Sequence, residues 1–241
     1  MSLSVVRFFA LLLVTLLAAT ARADAPSAFR EANEKAAHGQ WQESLEGYRT
    51  LGQQGVHAPS LYWNWAQTAS ASGRKGEALW AYLATRYLSP RDQGVAREVE
   101  RLRAELGLDP SEISLGLEGD ARLLARRLRF DVLAVAALIL SIFVLFIPRP
   151  RPVASVVLLV AGLLLLGPYH FGAWRQSRAV IVQKDAPLLD APRDEAVALT
   201  NLREGEVVPI LDEAGDFVKI QDASGARGFA HRDDVRKLEA P

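Results

Sequence analysis

The sequence contains no cysteine. Disulfides, thiol catalysis and cysteine-built zinc sites are therefore excluded. It also has no excess of either charge: 28 Lys and Arg balance 28 Asp and Glu, for a net charge of zero. No global field draws the chain to nucleic acid, and no nucleic-acid partner is expected. The four histidines, His38, His57, His170 and His231, are scattered without ligand-like spacing. No G-x-S-x-G, H-E-x-x-H or P-loop pattern occurs, so no catalytic residue, metal site or cofactor is expected, and the chain reads as a non-enzyme. The one His/acid cluster, His231-Arg232-Asp233-Asp234, sits in a polar connection and reads as a solvated turn.

Half of the 241 residues are hydrophobic, and that content gathers in three runs. The first, Phe8–Ala19, follows Arg7 and precedes Ala21-Arg22-Ala23, a small-x-small cleavage pattern. Residues 1–23 thus read as a signal peptide, with Asp24 as the mature start; an uncleaved anchor is the alternative. Either directs the following segment out of the cytoplasm.

Residues 28–90 repeat themselves. Ala32 and Ala66, Ala37 and Ala71, Gly39 and Gly73, Glu43 and Glu77, Leu45 and Leu79, and Tyr48 and Tyr82 all lie 34 residues apart. Each unit reads as a helix, a Gly-centred turn and a second helix. Val95, Val99, Leu102 and Leu106 form one apolar stripe on a helix over 92–106, which would cap the last repeat. This period and pattern resemble the tetratricopeptide (TPR) family, over residues 25–108. Repeat 1 departs from the pattern at Glu31 and at Ser44, where an apolar residue and alanine are usual. The resemblance implies a groove lined by the first helix of each unit. By position, it would use Phe29, Asn33, Trp63, Gln67 and Ser70 to hold a peptide or partner helix.

After a linker at 109–129 come two further apolar runs, Val132–Ile147 and Val153–Leu166, separated by Pro148-Arg149-Pro150-Arg151-Pro152. These read as two antiparallel transmembrane helices, 130–148 and 153–174, joined by a short cytoplasmic loop at 149–152. Tyr169 and Trp174 would stand in an interfacial aromatic belt. Both flanking domains must share one face, the periplasmic one if the signal peptide directs orientation. The arginines outside the runs (Arg122, Arg126, Arg127, Arg129, Arg175 and Arg178) favour the reverse orientation or a contact with lipid headgroups.

Residues 178–239 turn to short β-like runs broken by Gly and Asp. Leu202–Glu206, Gly215–Ile220 and Gly225–Ala230 resemble a bacterial SH3-like domain, with Phe217 and Phe229 where tryptophans are common. The expected fold is therefore multidomain α plus β: a TPR α-solenoid, a two-helix transmembrane hairpin and a small SH3-like β-barrel. The order of parts resembles BatE-type proteins of the bacterial aerotolerance operon. That resemblance implies a multi-pass inner-membrane scaffold with both domains periplasmic. It would touch membrane lipid and work with von Willebrand A-type membrane proteins and a MoxR-type AAA ATPase. A wall-binding sensor acting through the SH3-like part, and a hydrolase using His231 and Asp233, are the rival readings.

Overall fold

A computed structural model describes residues 25–146, 152–170 and 177–238. The expected signal peptide and the short loop, save its last residue, lie outside that range. Helices α1 (25–37), α2 (Trp41–Gln53), α3 (Pro59–Ala71), α4 (Lys75–Leu88) and α5 (Gln93–Glu105) stack in sequence. Their starts keep the repeat length: α1, α3 and α5 begin at residues 25, 59 and 93, and α2 and α4 at 41 and 75. Local chemistry sets these boundaries. Gly39 and Gly73 turn the chain at φ of 74° and 80°, where a Cβ is disfavoured. Pro59 opens α3 at a position that needs no N–H donor. The Asp92 carboxylate caps α5 by accepting from the Gly94 and Val95 amides, at 2.8 and 3.3 Å. Ser44 buries a hydroxyl with no hydrogen-bond partner, in the place that Ala78 takes in the second repeat.

The C-terminal part is a seven-stranded antiparallel sheet: β1 (Arg178–Ile181), β2 (Pro187–Leu189), β3 (Ala198–Asn201), β4 (Val207–Ala214), β5 (Phe217–Gln221), β6 (Arg227–His231) and β7 (Val235–Leu238). Its order is β3-β2-β6-β5-β4-β1-β7. The expected barrel is not formed, because the sheet keeps two edges. One is β3, exposed along all four residues. The other is β7, which meets α4 instead: the Trp80 indole N–H donates to the Lys237 carbonyl at 2.8 Å.

That contact belongs to a seam joining helices and sheet. Val180 of β1 and Val207 of β4 are buried in one core with Leu79, Leu102 and Leu108. The Gly76 amide donates to the Glu204 carboxylate at 2.6 Å. A Cβ on Gly76 would stand 2.7 Å from the Ile181 carbonyl oxygen and 2.9 Å from the Val182 Cα. The expected linker at 109–129 is also structured. Ile113 is buried, the Val207 amide donates to the Glu112 carbonyl at 2.8 Å, and Arg203 pairs with the Glu112 carboxylate at 2.6 Å. Residues Gly116–Leu128 form helix α6. Its Arg126 donates to the Tyr87 carbonyl at 3.1 Å and lies 4.7 Å over the Tyr87 ring.

Helices α7 (Phe130–Leu145) and α8 (Pro152–His170) pack as an antiparallel hairpin. Among the described residues no helix is long and apolar enough to cross a membrane. This corrects the expected transmembrane pair. It also removes the basis for a multi-pass inner-membrane protein with both domains periplasmic. The physical reason is length. Helix α7 has 16 residues, about 24 Å at 1.5 Å per residue, against a hydrocarbon core of about 30 Å. Helix α8 leaves its apolar run at Gly167-Pro168-Tyr169-His170. On the other side, Arg129 adopts a left-handed conformation (φ 56°) that separates α7 from α6.

Two stability effects follow. Gly76→Ala drives a Cβ into sheet backbone and is expected to cost about 2 kcal/mol, lowering Tm by roughly 4–8 °C in a thermal scan. The second involves Glu206, whose buried carboxylate accepts from the Ala223 amide at 2.7 Å. Burial raises its pKa above the ordinary 4.5, against the pull of backbone hydrogen bonds. A raised folded value makes its contribution most favourable below the unfolded pKa and weaker as pH rises through the folded one. Glu206→Gln stays neutral, so its Tm relative to wild type is expected to climb between about pH 4 and pH 7.

Candidate functional site

The five positions expected to line a groove fall on α1 (Phe29, Asn33) and α3 (Trp63, Gln67, Ser70). They are joined through two tyrosines of the paired helices. The Tyr48 hydroxyl donates to Asn33 Oδ1 at 2.7 Å, and Gln67 Nε2 donates to the Tyr82 hydroxyl at 2.6 Å. Both members of each pair recur at the repeat offset, so one tyrosine–amide bond is built twice. Phe29 packs near Tyr48 with ring centroids 6.2 Å apart, and Trp63 meets Tyr82 edge-on at 5.3 Å. Phe29, Asn33, Trp63 and Ser70 are half-buried, while Gln67 is exposed.

The two pairs present opposite chemistry. Asn33 Oδ1 accepts from Tyr48 and also from Asn64 Nδ2 at 2.9 Å, so its own amide N–H groups are the donors it offers. Gln67 uses its nitrogen on Tyr82 and offers its oxygen. Burial, with the Glu98 carboxylate nearby, pushes the Tyr82 hydroxyl up to about 12. It therefore stays protonated at neutral pH and acts as a fixed dipole rather than as a base.

Two members of this face were missed in the sequence. Arg101 of α5 stands one further repeat length after Gln67, and its guanidinium lies 3.5 Å from the Ser70 hydroxyl. It also pairs with Glu98 at 2.8 Å and with Glu105. Extending the 34-residue offset into the cap helix would have found it. The other is Asn64, hidden inside the aromatic run Tyr62-Trp63-Asn64-Trp65.

Beneath the face lies a buried charge network. Glu77 of α4, 4% exposed, accepts from Arg49 Nη2 of α2 on both its oxygens, at 2.9 and 3.0 Å, from Arg49 Nε at 3.2 Å, and from the Trp65 indole N–H of α3, at 3.0 Å. Arg74 adds a longer contact at 3.4 Å. One carboxylate thus fixes the mutual placement of three helices. The clefts lie elsewhere. One of about 490 Å³ involves Arg91, Arg126 and Arg129, and one of about 420 Å³ sits at Trp41 and Arg74. Neither cleft involves the five positions on α1 and α3.

His231, considered as a catalytic group, is on β6. Its Nε2 lies 3.3 Å from Asp194 Oδ1, and its ring is 4.4 Å from that of Phe217. The Asp194 side chain is 83% exposed, which gives the pair the screened setting of a surface contact. Burial raises the pKa of neighbouring Asp234. Among the described residues, no group of three or more His, Cys, Asp or Glu side chains is placed to hold a metal ion.

Glu77→Gln keeps the shape and the acceptor for Trp65 but leaves Arg49 only the exposed Glu46 carboxylate, at 3.3 Å, as counter-charge. It is expected to cost roughly 2–3 kcal/mol in urea unfolding. Replacing both partners, Arg49→Met with Glu77→Met, is expected to cost less than that single change. Compared with protein-family models, curated proteins and solved structures, the chain matches none.

Proposed function

We propose that this chain is a non-enzymatic scaffold that holds an extended peptide of a protein partner along the face of α1, α3 and α5. The observation that carries this reading is the repeated tyrosine–amide pair. Asn33 offers donors and Gln67 offers an acceptor, one repeat apart, with Arg101 next in register. An extended backbone presents alternating carbonyls and amides to such a row. Phe29 and Trp63, each half-buried beside a tyrosine, supply apolar contact for side chains. The tyrosines order the amides before any ligand arrives, which lowers the entropy lost on binding. The run Leu61-Tyr62-Trp63-Asn64-Trp65-Ala66, which resembles the second-repeat opening of BatE-type aerotolerance proteins, nominates von Willebrand A-type membrane proteins and a MoxR-type AAA ATPase as partners to try first.

A second reading, binding of envelope material through the β part, is favoured by β3. That strand forms a sheet edge, and Val197 and Leu199 beside and within it are exposed.

Photo-crosslinking separates the two. A photoreactive residue at position 63 of the full chain is expected to capture a protein identifiable by mass spectrometry. Gln67→Ala with Arg101→Ala should weaken that capture about tenfold while the far-ultraviolet circular dichroism stays unchanged. Capture from position 199 alone, indifferent to Gln67 and Arg101, would transfer the function to the sheet edge.

A further inference from the structure

The α7–α8 hairpin exposes apolar side chains on every side. Ile139, Phe143, Val153, Val157 and Leu164 are each more than half exposed. A protein partner covers one face of such a helix pair, whereas hydrocarbon covers all of them. The contact between the two helices supports the same occupant. It is made of small residues and polar bonds: Ala134, Ser141, Ser155 and Gly162 are buried there. A Cβ on Gly162 would meet the Leu138 Cγ at 3.0 Å. The Ser141 hydroxyl donates to the Ser155 carbonyl at 2.8 Å, and the Ser155 hydroxyl to the Ser141 carbonyl at 2.9 Å. Close packing through small residues with reciprocal serine bonds is how helices associate where apolar surroundings supply no hydrophobic drive.

The cleft of about 490 Å³ lies at the base of this hairpin, where Arg91, Arg126 and Arg129 gather with Asp92 and Asp131. Asp92 is committed to capping α5. Arg91 is held by the Arg127 carbonyl at 2.9 Å, and Arg126 by Tyr87. The Arg91 and Arg126 guanidinium groups are thus fixed in place, beside Arg129, at the junction of an apolar body and a polar one, the level at which phosphate headgroups meet acyl chains.

We propose that the α7–α8 hairpin enters one face of a lipid membrane without crossing it, and that the Arg91–Arg126–Arg129 cleft takes the phosphate of an anionic lipid headgroup. The apolar surface provides the binding energy and the arginines the headgroup preference.

Vesicle flotation of the full chain tests this. With vesicles of equal parts phosphatidylglycerol and phosphatidylcholine the chain is expected to float, and to remain bound in high salt. With phosphatidylcholine alone, binding is expected to fall about tenfold. Arg91→Glu with Arg129→Glu should remove the difference between the two vesicle types and leave the phosphatidylcholine value unchanged. Ile139→Glu with Phe143→Glu, at positions already facing outward, should abolish flotation in both while circular dichroism and Tm stay at wild-type values. Flotation by that second variant at wild-type level overturns the proposal. So does a wild-type chain that fails to float and forms a discrete dimer dissolved by the same two substitutions, since a second copy would then be the occupant. Equal binding to both vesicle types, insensitive to Arg91 and Arg129, overturns the headgroup assignment.

Discussion

Helix α4 is buried on nearly every side, and the other elements are placed by what touches it. Nine of its fourteen residues are inaccessible, among them a glycine and a glutamate. Gly76 lets the sheet approach to backbone distance. Glu77 draws in α2 and α3 through Arg49 and Trp65. Trp80 bonds the edge strand β7 and packs edge-on against Trp65, with centroids 4.8 Å apart. Tyr82 accepts from Gln67 of α3. A helix enclosed in this way cannot be amphipathic, and its polar groups must each find a partner within the protein. Between them, Gly76, Glu77, Trp80 and Tyr82 reach the sheet, α2 and α3.

This arrangement makes the helices and the sheet one cooperative unit. The sheet has a core of its own around Ile181, Leu188, Val218 and Ile220, but Val180 and Val207 share the helical core with Leu79 and Leu102, so neither part buries all of its apolar surface alone. Small repeat arrays leave an end face uncovered, and a cap is normally needed. Here α5 covers one part of that surface and the sheet covers another. The segment after α5 completes the joint, with Glu112 receiving both a strand amide and the Arg203 guanidinium. An additional strand on β7 is precluded by the same contact, because Trp80 already holds its carbonyl at Lys237.

The repeats were legible because a period of 34 leaves identities at fixed offset, and the helix starts keep that offset. The tyrosine–amide pairs were half legible: the residues stood out, but not the bonds between Tyr48 and Asn33 or Tyr82 and Gln67. Arg101 was missed because the cap helix was read only for its apolar stripe. Helix α6 was missed because Pro110 and nearby glycines suggested a linker, whereas Leu123, Ala125 and the Arg126–Tyr87 contact hold it in place. Strand β3 gave no signal, since all four of its residues are exposed and carry no alternation. The seam was invisible in principle: nothing in the sequence around Gly76 names the backbone that approaches it. Hydropathy located the hairpin and placed its first helix at 130–148, whereas α7 ends at Leu145, and length decided against crossing.

Two of the arginines that resisted an orientation in the sequence, Arg126 and Arg178, have another role in the fold. Counting positive charge on each side of a helix carries meaning only for a segment that crosses the bilayer. Arg126 is bound to Tyr87 by a hydrogen bond and by its ring, Arg91 is bound to the Arg127 carbonyl, and Arg178 donates to the Ser114 carbonyl at 3.2 Å. These groups fasten α6 and the joining segment to the folded body. Reaching specific carbonyls and a ring face together is a requirement that guanidinium meets through its planar, multi-donor fork and that lysine does not. Arg126 and Arg178 thus act as structural fasteners, a role that a count of charges flanking an apolar run does not register.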